Sequence, residues 1–332
     1  MKILVTGGSG FIGTRLVGEL LKEGHEPLIF DKRPSVAYPD RYIQGDVRHF
    51  DALSNAISGH GAVIHLAAEH RDDVRPLSLY EEVNVGGASQ LTRAVDACGC
   101  KRVVFTSSVA VYPLNAGEPD EEFRPAPFNP YGASKWKAEQ VFGEWIAARP
   151  DVALTIVRPC VVFGENNRGN VYNLLKQIAT RRFIIVGSGK NRKSLAYVGN
   201  LVAFLEHCLD FPTGIHLFNY ADKPDLSSGE IVEIVRAELG MTDTNRVRLP
   251  YSLGLLAGYV FDLIAWATRR RFALSSIRIR KFCADTTVST RRLEQVAGFS
   301  RRCSLPDALR KMVRYEFIED SSQGDEVTEG GG

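Results

Sequence analysis

Short, unbroken apolar runs recur along the first half of the chain, separated by longer stretches with a single apolar face. Ile3-Leu4-Val5 opens the series, Thr14 to Lys22 has apolar residues at helical spacing, and Pro27 to Phe30 is apolar again. Ala62 to Leu66, Arg102 to Thr106 and Leu154 to Val157 continue it, with helical patterns between them. A strand that is apolar throughout needs cover on both faces, and strands separated by helices pair in parallel. The pattern predicts an α/β fold, a doubly wound parallel sheet, over residues 1–160. After about Pro159 the rhythm changes. Loops such as GENNRGN, GSGKNRKS and ADKPDLSSGE interleave with helices, and Phe183–Val186 and His216–Asn219 read as later short strands. Residues 161–318 are expected to form a smaller C-terminal substrate lobe that partly returns to the main domain. The polar, acidic, glycine-ended segment 319–332 reads as a disordered tail.

Composition adds exclusions. With 332 residues, 44% hydrophobic and 24% charged, the chain is an ordinary globular one with room for a real core. A formal charge of +2 gives no basic bias for nucleic acid. Cys98, Cys100, Cys160, Cys208, Cys283 and Cys303 are scattered without a CxxC pair, so neither a disulfide framework nor a metal site is expected. Reduced thiols fit a cytoplasmic location. MKILVTGGSG runs straight into a strand and a turn, so no signal peptide is expected.

The first candidate chemistry is VTGGSGFIG, which follows the first strand and opens a helix. Gly7, Gly10 and Gly13 are spaced three apart, and Gly8-x-Gly10-x-x-Gly13 satisfies the general dinucleotide pattern. A side chain would block the tight turn, the approach to a pyrophosphate, or the helix–strand contact. The helix start then offers N–H groups and partial positive charge to phosphates. Asp31 ends the second strand, eighteen residues after Gly13, where a carboxylate can accept both adenine-ribose hydroxyls. That favours NAD; Lys32 and Arg33 follow at once and keep NADP open. Asp46, after the third strand, suits either the adenine amino group or a helix N-cap.

The second is TSSVAVYP at 106–113 followed by NPYGASKWKAEQ from Asn129. Tyr131 and Lys135 are four apart on a helix starting near Pro130, so they share one face. An ammonium beside a phenol stabilises phenolate, which can then move a proton to or from a sugar hydroxyl. Ser108, at the end of the preceding strand, can hydrogen-bond the same oxygen. A Tyr–Lys pair alone is usually a solvated helix face; this set, in this order after a glycine turn, is specific.

With GGSGFIG, Asp31, Asp46-Val47, HLAA at 65–68, Asn84-Val85, TSSVAVY, Tyr131 to Lys135, Arg158-Pro159 and YVGNLV at 197–202, the chain resembles the extended short-chain dehydrogenases/reductases. That group, of Rossmann fold, contains nucleotide-sugar epimerases, dehydratases and ketoreductases. The resemblance implies a catalytic set of Ser108, Tyr131 and Lys135. It implies dinucleotide contacts from Gly7, Gly10, Phe11, Ile12, Asp31, Lys32, Asp46, Val47, Leu66, Ala67, Ala68 and Pro159, with Tyr131 and Lys135 also beside the cofactor. Dehydratases of the group carry Asp-Glu directly after the hydroxyl residue; here Val109-Ala110 stand instead, so dehydration is discounted. Cys160 after Arg-Pro reads as a small buried hydrophobe.

LAAEHRDDVRP, SLYEEVNVGG, RPCVVFGENNRGNVYNLLKQIA, KSLAYVGN, YADKPDL, LPYSLGLLAGYVFD and SSIRIRKFCADT are similar to a narrower branch, the N-acetylglucosamine 4-epimerases acting on polyprenyl-diphosphate-linked sugar. This implies a diphosphate-linked amino sugar as substrate, carried on polyprenyl diphosphate or UDP, and a place in polysaccharide (O-antigen) assembly. Arg192, Lys193, Arg278 and Arg280 fall where similar proteins bind the substrate diphosphate, and a homodimer through the helices flanking Ser108 is a family expectation. Tyr251 to Thr268 is the most apolar stretch, with Asp262 its only charge and Arg269-Arg270-Arg271 after it. Eighteen residues with two glycines is short for a span. A core helix and an interfacial helix on the inner face of the cell membrane both fit, the contact running over 251–271. Two alternatives to epimerisation remain: an NAD(P)H-dependent 4-ketoreductase of a UDP-linked deoxy amino sugar, and a non-catalytic dinucleotide-sensing protein.

Overall fold

The computed structural model describes residues 1–71, 74–241, 248–268 and 276–319; the side chains of 265–267, 277, 278, 281 and 282 lie outside the described residues. Of the expected tail, everything beyond Glu319 also lies outside them. Two compact units divide the chain. One comprises Met1–Val162, Ala196–Ala221 and Val288–Arg302, the other Phe163–Leu195, Asp222–Thr287 and Cys303–Gly332.

The strands in chain order are β1 (Lys2–Thr6), β2 (Glu26–Asp31), β3 (Tyr42–Gln44), β4 (Ala62–His65), β5 (Arg102–Thr106), β6 (Ala153–Pro159), β7 (Val161–Phe163), β8 (Ile185–Val186), β9 (Arg192–Tyr197), β10 (Gly214–Tyr220), β11 (Asp222–Ser227) and β12 (Arg248–Leu249). The first unit holds a seven-stranded sheet ordered β10-β6-β5-β4-β1-β2-β3, parallel throughout. Leu4, Phe30, Val63, Val103, Phe105, Leu154 and Ile156 pack on one side with Leu53, Leu91 and Phe142 from the helices. Their chain neighbours Ile3, Val5, Ile29, Ile64 and Val104 are equally buried and point to the opposite face, because side chains alternate along a strand. Two covered faces are why these strands read as unbroken apolar runs.

The helix Phe11–Lys22 buries Gly13, Leu16, Val17 and Leu20, one stripe at helical spacing, and packs beside Val198–His207. Phe50–Ile57, Gly87–Cys98 and Pro130–Ile146 pack side by side in turn. His216–Asn219 lies within β10, which pairs with β6 in the main sheet. The strand expected at Phe183–Val186 is shorter: only Ile185–Val186 pairs, with β12, and Ile184 is exposed.

In the second unit β9 and β11 pair antiparallel from Arg192↔Ser227 to Leu195↔Asp222. Ser227 and Glu230 form a capping box that starts the helix Ser228–Glu238. Against it packs Leu305–Arg314, which buries Leu305, Ala308, Leu309, Met312 and Val313. All six cysteines are unbridged, and among the described residues no His/Cys/Asp/Glu cluster has a metal-binding arrangement.

Candidate active site

Parallel pairing brings the C-terminal ends of β1, β4, β5 and β6 to one edge of the sheet. Thr6 lies opposite His65, His65 opposite Phe105, and Thr106 opposite Val157. Loops leaving that edge are where open α/β sheets bind ligands.

At β1 the chain turns through Gly7, whose φ of +73° suits glycine. A Cβ there would stand 2.6 Å from the Ala67 nitrogen, so the turn lies against the loop after β4. A Cβ on Gly13 would stand 2.5 Å from the Gly7 carbonyl oxygen. Gly10 N–H donates to that oxygen at 3.1 Å, and Gly10 caps the Phe11–Lys22 helix without a side chain. The first-turn N–H groups of Phe11 and Ile12 therefore face outward from the turn without intrahelical partners. Leu66 N–H donates to the Thr6 carbonyl at 3.0 Å and Ala67 N–H to the Thr6 hydroxyl at 3.4 Å, which fixes the Leu66–Ala68 segment beside the glycines.

The Asp31 carboxylate accepts from Ser9 N–H and Arg33 N–H, each at 3.1 Å, and so stands at the rim of the turn. Lys32 reaches the other way, its ammonium 3.2 Å from Asp46. Asp46 also accepts from Arg48 at 2.7 Å. Burial works to raise its carboxyl, but hydrogen bonds from Arg48 and Lys32 outweigh this and hold it well below the usual carboxylate range. The N-cap alternative for Asp46 falls away, since His49 caps the Phe50–Ile57 helix. Val47 is buried against Gly87.

The second cluster grows from the start of the helix Pro130–Ile146. Asn129 Oδ1 accepts from Gly132 N–H at 2.6 Å, and Pro130 occupies the first turn, where no N–H is needed. A Cβ on Gly132 would stand 2.1 Å from the Ala110 carbonyl oxygen, so the helix entry sits directly on the short Val109–Val111 turn. Ser108 caps that turn, its hydroxyl accepting from Ala110 N–H at 3.1 Å, which leaves the proton for another oxygen. Tyr131 is half-buried, its ring 6.4 Å from that of Tyr80. Asn84 Nδ2 donates to Ser134 Oγ at 2.8 Å, and Ser134 donates to the Tyr131 carbonyl at 2.8 Å. Lys135 is 2% exposed, with Nζ 4.3 Å above the Phe105 ring. Burial pulls its pKa down to about 7, against the charge of Glu139, which raises it.

Cys160 is buried with Val111, Tyr112, Ala221 and Val288, the apolar role expected. In the second unit Arg192 donates to the Asp225 carbonyl at 3.2 Å and Lys193 Nζ to the Ala284 carbonyl at 2.6 Å. Burial lowers the Lys193 pKa to about 8, with Asp285 and Cys283 opposing. Arg280 instead hydrogen-bonds the Tyr259 hydroxyl, so these cations do not converge through described contacts. The Arg278 side chain lies outside the described residues. Ser107, Tyr112, Glu139 and Asn219 are functional candidates that sequence reasoning missed; the one available signal was a glutamate four residues after Lys135.

Residues 3–219 match the family described as "NAD dependent epimerase/dehydratase family". The chain belongs to that family. Over 328 residues, 98% of each chain, it is 45% identical to the N-acetyl-alpha-D-glucosaminyl-diphospho-ditrans,octacis-undecaprenol 4-epimerase of Escherichia coli O157:H7. Over 241 residues, 69% of this chain and 73% of the other, it is 31% identical to a UDP-glucose 4-epimerase of Vibrio cholerae. The fold is similar to that of the UDP-N-acetylglucosamine 4-epimerase from Bacillus cereus, with a TM-score of 0.74 at 18% identity, over 94% of this chain and 98% of that one.

The sheet edge suits the dinucleotide of this NAD-dependent epimerase/dehydratase family. Ser9 Oγ in the glycine turn, His65 Nε2 at the end of β4 and Thr106 Oγ1 at the end of β5 are buried without a hydrogen-bond partner. The glycines leave a cradle that any Cβ would fill, and the buried Lys135 ammonium stands over the Phe105 ring at the end of β5.

Proposed function

We propose that the protein is an NAD-dependent 4-epimerase interconverting N-acetylglucosamine and N-acetylgalactosamine on a diphosphate carrier. Polyprenyl diphosphate is favoured over UDP by the full-length relative, whose substrate is undecaprenol-linked. The observation that carries this is Tyr131 and the buried Lys135 on one helix face, packed through Gly132 on the Ser108 turn. Val109-Ala110 in place of an acid–base pair speaks against dehydration.

In this reading Gly7, Gly10, Phe11, Ile12 and Leu66–Ala68 hold the NAD pyrophosphate and nicotinamide half, Pro159 closes beside them, and Asp31 takes the adenine ribose. Asp46 and Val47 meet the adenine. The Asp31 carboxylate would repel a 2′-phosphate, and Lys32 is already paired with Asp46, which supports NAD over NADP. When bound there, NAD would supply the hydride acceptance and return at sugar C4. Tyr131 takes the 4-hydroxyl proton, Ser108 hydrogen-bonds the same oxygen, and Lys135 keeps the phenol acidic. A 4-keto sugar held by its diphosphate would be free to turn, and Tyr131 would then return the proton to the 4-oxygen. Arg192, Lys193, Arg278 and Arg280 are proposed for the diphosphate.

Incubating the purified protein and NAD with both carrier forms of N-acetylglucosamine, followed by sugar analysis, tests this. Conversion of at least one is expected, and Tyr131→Phe should abolish it while sparing cofactor binding. Failure of both carriers sinks the proposal; NADPH consumption with a 4-keto sugar would make it a reductase.

A homodimer through Gly87–Cys98 and Pro130–Ile146, and a place at the cytoplasmic face of the membrane in polysaccharide (O-antigen) assembly, belong to the same proposal. For the membrane contact the support is the helix Tyr251–Thr268. Leu253, Leu256, Tyr259, Val260, Leu263 and Ile264 are exposed along it, and arginines follow at 269–271. Among the described residues no helix is long and apolar enough to cross a membrane. An apolar stripe flanked by cations matches an anionic bilayer surface, where a lipid-linked sugar resides.

A further inference from the structure

Behind the catalytic helix lies a buried polar network that the proposed chemistry does not itself use. Glu139 follows Lys135 by one turn, and both side chains are buried. Its carboxylate is gripped from two sides. Arg158 of β6 donates from Nε to Oε1 at 2.9 Å and from Nη2 to Oε2 at 2.6 Å, and the Ser107 hydroxyl donates to Oε1. Arg158 is fixed in turn, Nη1 donating to the Tyr112 hydroxyl at 2.7 Å, and that hydroxyl lies 2.8 Å from Asn219 Oδ1. Asn219 of β10 donates from its backbone to Glu121 at 2.7 Å and from Nδ2 to the Pro119 carbonyl at 3.1 Å. Apolar side chains of similar volume would serve stability as well as a buried ion pair. A charge kept here therefore calls for a use, and Lys135, equally buried, stands one turn earlier on the same helix and feels that charge.

We propose that Glu139 is a positioning residue of the reaction: locked by Arg158 and Ser107, its carboxylate keeps Lys135 charged and seated one turn after Tyr131. This rests on the roles proposed for Tyr131 and Lys135. The other groups around Lys135 cannot do the same. His65 on β4 is pushed down to about 3 by burial and by Lys135 itself, so it is neutral. Phe105 on β5 offers only a ring face. Tyr131 is the group to be activated, and Arg158 of β6 is already spent on Glu139.

Glu139→Gln keeps the shape and removes the charge. In full-length protein carrying isotope-labelled lysine, the Lys135 resonance (assigned by its loss in Lys135→Met) should titrate about one pH unit lower in Glu139→Gln. The alkaline limb of the kcat profile should move down with it, because the ammonium is lost earlier. Ser107→Ala deletes a hydrogen bond but no charge and should leave both midpoints in place; Glu139→Asp should restore them. A Lys135 midpoint unmoved by Glu139→Gln, with turnover lowered to the same degree by Ser107→Ala, overturns the proposal. If Glu139→Gln does not fold, Glu139→Gln/Arg158→Gln, which leaves no orphaned cation, is held to the same shift. Turnover retained in Tyr131→Phe would instead refute the role of Tyr131, so the two failures are distinguishable.

Discussion

Lys135 is the residue on which burial and chemistry pull hardest against each other. Its pKa is drawn from 10.5 to about 7 by desolvation, so the folded state binds fewer protons than the unfolded chain across that window. The sign follows: its full contribution to stability is present above 10.5 and is lost as the pH falls to about 7. Lys135→Met, which has no proton to gain, should therefore melt higher than the parent at pH 7, by a few kcal/mol of stability. The gap should close as the pH approaches 10. Melting curves at several pH values check this, and a constant gap would show that the ammonium is not desolvated. At this scale the proposed set of Tyr131, Lys135 and Ser108 is legible, because their order along the chain carries the information. Glu139 was not. A glutamate on a helix reads as a solvated position until β6 brings Arg158 against it.

Among the elements, the glycine turn makes the sharpest demand. Gly13→Ala puts a methyl group 2.5 Å from the Gly7 carbonyl oxygen and the same distance from Gly8 Cα, both backbone atoms, so the helix start must shift. Overpacking of this kind costs about 1–3 kcal/mol, and NAD affinity should fall about tenfold or more, read by titration calorimetry. Unchanged affinity would detach the turn from the cofactor. The long strands were readable because each must be apolar on both faces. RKSLAY and DKPDLS, the sequences of β9 and β11, were not, since their pairing is antiparallel, irregular and mostly polar. The lone charge of the apolar helix is explained only by structure: Asp262 accepts from Ser276 N–H at 3.1 Å and so starts the helix Ser276–Cys283.

For the whole molecule, the testable question is where it resides. Leu256→Glu/Leu263→Glu places two carboxylates on the exposed apolar stripe, and burial of two leucines is worth about 3–6 kcal/mol. Co-flotation with phosphatidylglycerol vesicles should fall at least about tenfold, while conversion of a UDP-linked sugar, where it occurs, should persist. A parent protein that stays at the bottom of the gradient, or a variant that floats equally well, would end the membrane proposal. The stripe was visible in sequence as apolarity but not as exposure, because an apolar helix is equally at home in a core.

Gly254 and Gly258 lie on the buried side of that helix, where a Cβ would meet Val186 at 2.5 Å and the Ser276 backbone at 2.8 Å. The helix is thus moored by its bare keel, and its bulky residues hang outboard. Foldedness and greasiness are therefore carried by different letters of the same segment. An engineer could repaint the outboard residues with polar ones and leave both glycines alone, changing the surface while keeping the seat of the helix.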